Sequence, residues 1–495
     1  MLRRFARIAA LSLALPLPAA VAQSAQLTTT SKDRRTVNVT VYNSNIGLVR
    51  ETRAVRLPGQ GRIALNFADV AASIRPETVH LVSLTAPEHL SVLEQNYQYD
   101  LLNPSKLLDK YVGREVTLLV YRYANNSTVP TPTPVRAVLL SNNNGQVWKI
   151  GDEIVVNPSY TEIRFPEVPA NLVATPTLVW EVDNTGAAEQ TLEASYLTGN
   201  MNWKADYVLV IDETDTRGRI QGWVTLTNQS GVGFEDARLQ LVAGDLNRVI
   251  DRREAEEMAA GVRRATAPSA KDAFQEQAFF EYHLYTLERP ATVREQETKQ
   301  ITLLEAADFA ASKDYVVNGQ PHYYQHYNAP GQPLKEPVGV FVEFRNSREN
   351  KLGMPLPAGV IRLYKRDAAG GQQFIGENRI AHTPKDEDVR IKVGDAFDIV
   401  SERKQTEYRL VGRNTYEYAY EITVRNHKDT PVEVVFNEPV GESDWKILPA
   451  ATTCAGSPRC VGFRAEKTSV TGARLRVPVE RDGETKISYR IRVKY

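Results

Sequence analysis

The chain has 495 residues, with 60 Lys and Arg against 60 Asp and Glu, and it is 42% hydrophobic and 24% charged. This is an ordinary globular composition, long enough for two to four domains. Its balanced charge leaves no electrostatic footprint for nucleic acid or an anionic membrane surface.

At the start of the chain, Arg3, Arg4 and Arg7 precede an uncharged apolar run over 8–21, with Leu11, Leu13, Leu15 and Leu17 at its centre. Ala20-Val21-Ala22 then supplies the small residues a signal peptidase needs, so residues 1–22 read as a cleavable signal peptide. Pro16 and Pro18 interrupt the run, which falls short of the roughly 20 residues of a membrane-spanning helix. Cleavage after Ala22 removes three basic residues and no acidic one, taking the net charge to about −3. The expected location is periplasmic or secreted, with no transmembrane helix after cleavage.

Residues 27–98 read as an N-terminal β-sandwich-like unit, in which Val37, Val39 and Val41 share one face of a strand. Residues 99–170 differ. Asn103 can cap a short helix with Pro104 at its first position; Leu107, Leu108 and Tyr111 lie on one face, and Gly113 stops it. A strand over Glu115–Tyr123 follows, then a Pro-rich stretch over 129–134, then strands around Val138, over 148–150 and over 154–156. Asn142-Asn143-Asn144-Gly145 is a hairpin turn. Helix and short bent strands together predict a small SH3- or Sm-like barrel. Such barrels often bind RNA, but seven basic and six acidic residues over 100–165 argue against that here.

Residues 171–495 read as C-terminal β structure. Val338, Val340, Val342 and Phe344 share a face, as do Tyr416, Tyr418, Tyr420, Ile422 and Val424, with Glu417, Glu421 and Arg425 opposite. That is the period of half-buried antiparallel strands. Asn184, Asn228, Asn346 and Asn426 each end a strand pattern and open a polar turn, a place suited to an amide that caps turns. The expected fold is therefore all-β and multi-domain, with immunoglobulin-like β-sandwich units and the small barrel inserted. Trp203 and Trp223 lie in strand patterns and read as core. Residues 251–277, charged and then small and Pro-interrupted, read as a mobile insertion. Cys454 and Cys460 flank Gly456-Ser457-Pro458, a turn, and a disulfide between them is the default in an oxidising compartment. Chain entropy gives so short a loop about 2.4 kcal/mol. Ile487, Tyr489, Ile491 and Val493 alternate with polar residues as a last sandwich strand. An outer-membrane barrel fits less well, because the chain has 27 Pro and several strands polar on both faces.

Four stretches carry a family resemblance: 41–49 (Val-Tyr-Asn-Ser-Asn-Ile-Gly-Leu-Val), 196–207 with Trp203 and Tyr207, 281–285 (Glu-Tyr-His-Leu-Tyr) and 356–360 (Leu-Pro-Ala-Gly-Val). They resemble a bacterial family catalogued as domain of unknown function 4139, some of whose relatives are called mucoidy-inhibitor proteins. The resemblance is strongest over 190–495, and 27–180 look like the N-terminal half of a subgroup. It implies an envelope protein of β architecture, and the mucoidy label implies a link to capsular polysaccharide. It carries over no catalytic residue.

No G-x-S-x-G, H-E-x-x-H or phosphate-cradling Gly loop is present. Ser401 and Lys404 match S-x-x-K, but Ser401 sits in a strand pattern, and that chemistry needs the Ser at a helix start. The best candidate site is the aromatic stretch His322, Tyr323, Tyr324, His326 and Tyr327. The two His at i, i+4 would suit a metal on a helix, but Gly319, Pro321 and Pro330 make this a loop, and no third ligand is near in sequence. The loop reads instead as either a packed surface loop or exposed rings that contact a sugar or peptide, with no metal and no cofactor. The function expected is non-enzymatic, a binding or scaffolding module whose partner is an envelope protein or polysaccharide. The alternative is a secreted hydrolase whose residues meet only in the fold.

Overall fold

The computed structural model describes residues 25–98, 100, 102–123, 130–169, 172–244, 274–325, 331–455 and 462–495. Among them are 33 strands and one α-helix, so the fold is all-β and built of several sheets. The chain divides into two compact units. One holds residues 1–37 and 49–198; the other holds 38–48 and 199–495.

In the first unit, a four-stranded sheet runs in the order Ala25–Thr29, Gly61–Ala68, Thr177–Asn184 and Leu90–Gln98. Its inward alternation buries Ile63, Leu65, Phe67, Leu178, Trp180 and Val182. Leu90–Gln98 is an edge of this sheet and is exposed along most of its length, with Val92 and Leu93 in the open. The one helix, Pro104–Lys110, has the cap foreseen for it: the Asn103 side chain accepts from the Lys106 N–H at 2.9 Å. Five strands follow, ordered Glu153–Val156, Val147–Ile150, Pro130–Ser141, Glu115–Tyr123 and Glu162–Arg164. They enclose Tyr111, Val116, Leu118, Leu139 and Trp148 in a core of their own. Glu162–Arg164 returns beside Glu115–Tyr123, as in a small barrel, but no pairing joins Glu153–Val156 to Glu162–Arg164. The expected barrel is thus corrected to an open sheet. Closure needs the two end strands to pair, and here Ile154 and Val156 stand exposed on the open edge instead.

The second unit contains a five-stranded sheet ordered Glu297–Ala310, Arg217–Asn228, Met201–Ile211, Gly359–Arg366 and Gln372–Ile380. Trp203 is buried in it, whereas Trp223, on the other face, is only half-buried. The last part of the unit is a β-sandwich. One sheet runs Asp388–Asp395, Gly339–Arg345, Ser312–Asn318, Val432–Pro439, Gly472–Val479 and Arg464–Ser469. The other runs Leu334–Glu336, Ile399–Gly412, Thr415–Asn426, Gly483–Lys494 and Asp444–Ala455. Their inner faces share one core: Val434, Phe436, Leu475 and Val477 meet Tyr418, Ile422, Ile487 and Ile491. Of the insertion expected over 251–277, residues 251–273 lie outside the described residues. Residues 274–277 are not an insertion but open the strand Phe274–Phe279.

The strand-ending asparagines are buried corner pieces. In Asn228, Nδ2 donates to Val232 O at 2.9 Å and Arg294 O at 3.1 Å, while Oδ1 accepts from Ser230 N. Asn426 repeats this with Thr430 O, Glu480 O and Lys428 N. Asn184 and Asn346 likewise use one amide to satisfy their own turn and a distant carbonyl. Each side chain supplies partners that a turning backbone lacks, which is why it tolerates full burial.

Candidate functional site

Pro321–Tyr324 forms a turn of 3-10 helix, with His322 exposed at its surface. Tyr323 and Tyr324 point the other way and are 6% and 0% exposed. At these two positions the packed reading of the loop holds and the ligand-contacting one is corrected, because a set of buried polar partners takes up the tyrosines. The Tyr324 hydroxyl donates to Glu438 Oε2 at 2.6 Å and lies 3.0 Å from the Tyr489 hydroxyl. The Tyr420 hydroxyl donates to Tyr323 O at 2.5 Å. His326 and Tyr327 lie outside the described residues, as does Cys460; Cys454 falls in the strand Asp444–Ala455.

At the centre of these contacts is Arg403, which sequence reading missed. Its Nε donates to Glu336 Oε1 at 2.9 Å, its Nη2 to Glu438 Oε1 at 2.5 Å and its Nη1 to Glu438 Oε2 at 3.2 Å; Nη1 also reaches the Tyr489 hydroxyl. The guanidinium carbon lies 4.9 Å from the centre of the Tyr323 ring and 5.5 Å from that of Tyr420. Arg403, Glu336 and Glu438 are all buried. One guanidinium thus faces two carboxylates. Burial raises the Glu336 carboxyl above its usual range more than Arg403 lowers it, and burial pushes the Tyr323 hydroxyl up to about 12. A signal did exist in the sequence: Ser401, Arg403 and Gln405 are polar residues at successive inward positions of Ile399–Gly412, and all three are buried. Ser401 sits mid-strand, away from any helix start.

This arrangement can hold a fold together but is poorly placed for catalysis. An acid–base pair must reach a substrate proton, and these carboxylates are shut inside a sandwich with their charge spent on Arg403. On the outer face, Glu417 accepts from Arg409, Arg490 and Arg492. Burial opposes its charge, but these three donors outweigh burial and hold its carboxyl down at about 2. Among the described residues, no group of three or more His, Cys, Asp or Glu is placed to hold a metal ion.

The stretches that carry the family resemblance also meet in a core. The Tyr207 hydroxyl donates to Pro357 O at 2.8 Å and the Tyr285 hydroxyl to Pro355 O at 2.9 Å, while Trp203 Nε1 donates to Val242 O at 3.1 Å. A Cβ on Gly359 would come within 2.3 Å of Ala205 O, and one on Gly47 within 2.6 Å of Met201 Sδ. Residues 38–42 run parallel to 238–242 beside them. These contacts are packing requirements of the fold, each a close approach or a buried hydrogen bond. Residues 192–495 match the family described as domain of unknown function (DUF4139), well over half of the chain, and the protein belongs to that family. A search of the curated proteins finds no match.

Proposed function

We propose that this is an exported protein of the cell envelope, periplasmic or secreted, acting as a non-enzymatic binding or scaffolding module for an envelope protein or polysaccharide. The observation that carries the reading is the contrast between interior and edges. The carboxylates that converge, Glu336 and Glu438, are sealed and paired. The edge strands Leu90–Gln98 and Arg464–Ser469 are open, the second exposed at every residue. Open strands offer backbone donors and acceptors to a partner, which is how β-rich modules commonly bind. No helix among the described residues is long and apolar enough to cross a membrane.

Export is supported by the basic, then apolar, then small-residue order of residues 1–22. Intact mass of the protein recovered outside the cytoplasm should begin at Gln23 and be lighter by two hydrogens for a Cys454–Cys460 disulfide. Met1 retained in a membrane fraction rules out the cleavable signal, and two free thiols rule out the disulfide.

A further inference from the structure

The strands Phe274–Phe279 and Tyr282–Leu287 form an antiparallel hairpin whose pairing runs to Phe279 opposite Tyr282. The turn is therefore the two residues Phe280 and Glu281. Phe280 has φ = 57°. For a residue with a bulky side chain, this left-handed region is strained, and hairpin turns normally fill it with Gly, Asn or Asp. Most such positions follow that preference: of the thirteen other described non-glycine residues with positive φ, eleven are Asn or Asp, and the remaining two are Gln296 and Lys351. Phe280 is also 88% exposed, so the ring gives the fold no burial in return. Backbone strain and an apolar ring in water are two separate penalties at one position, and the fold explains neither.

We infer that Phe280 is a docking residue, the protruding ring of a hairpin tip that inserts into an apolar pocket rimmed by Lys or Arg on a protein partner. This deepens the binding role proposed above and rests on it. An aromatic ring at the end of a two-residue turn offers large contact area at the small entropy cost of two side-chain torsions, the property of interface anchors. The rim follows from charge. Around the tip, residues 274–284 contain Glu276 and Glu281 and no Lys or Arg, while His283 is engaged by Glu276 at 2.9 Å. An acidic tip is repelled by anionic lipid headgroups and by polyanions, and it complements a cationic surface.

The test places the photo-reactive residue benzoyl-phenylalanine at position 280 of the full chain, in the cells that make it. Irradiation should give one discrete protein adduct. The same probe at Phe374, 55% exposed within Gln372–Ile380, should give none. With the probe moved to Glu281, Phe280→Asn should cut adduct yield at least about tenfold while the melting temperature holds or rises, because Asn accepts this backbone. A fall in melting temperature together with the adduct makes the ring structural and overturns the inference. So does cross-linking to lipid, or equal adducts at 280 and 374. A discrete adduct from Leu93 on the open edge with none from 280 overturns the inference alone; none from either overturns the binding role as well.

Discussion

Arg403 shows how one residue organises a core. Its two carboxylate partners are not equivalent, because Glu438 takes two of its N–H donors and Glu336 one. Removing the charge of Glu438 leaves a buried guanidinium short of its main partner, so Glu438→Gln should cost about 3–5 kcal/mol in urea unfolding. Glu336→Gln keeps an acceptor for Nε and deletes the carboxyl that burial disfavours, so it should change stability by less than about 1 kcal/mol near neutral pH. The sign with pH follows from the raised folded-state pKa of Glu336. Its contribution is fully present below the unfolded-state value and is lost as pH rises through the folded-state value. Wild type should therefore weaken over that rise, and Glu336→Gln should not. Equal losses from the two substitutions would show that the network is not built around this asymmetry.

At the scale of elements, the asparagine corners do for the sheets what caps do for a helix. Asn426→Ala strands the Thr430 and Glu480 carbonyls and the Lys428 N–H in a buried place. The expected loss is about 2–4 kcal/mol in denaturant titration; a loss under about 0.5 kcal/mol, the level of an ordinary surface change, would mean that water replaces the amide. These corners were legible in the chain because strand, Asn and turn are consecutive. So were the helix after Asn103 and the alternation of Tyr418 to Val424. The Arg403 cluster was not, because its partners lie 67, 35 and 86 residues away and no local period links them. The aromatic stretch at 322–324 left packed and exposed readings both open for a related reason. Surrounding Gly and Pro announce a loop, but a loop covering a sandwich can turn its tyrosines inward once buried acceptors await them. Closure of the small sheet failed as an expectation because strand patterns are local, whereas closure depends on a pairing between the two end strands that no local pattern reports.

Across the described residues, the family motifs, the corners and the Arg403 cluster all serve packing, and the outward-facing features include the edge strands Leu90–Gln98 and Arg464–Ser469 and the hairpin tip at Phe280. On the reading proposed above, the protein holds a ligand without converting it. The most direct test is to immobilise the chain lacking residues 1–22, load it with envelope extract, and compare the mass of the retained ligand before and after prolonged contact. The binding account predicts a ligand retained in stoichiometric amount and eluted with its mass unchanged. Release of fragments that have gained the mass of a water at a cleaved bond would contradict it and make the protein a hydrolase.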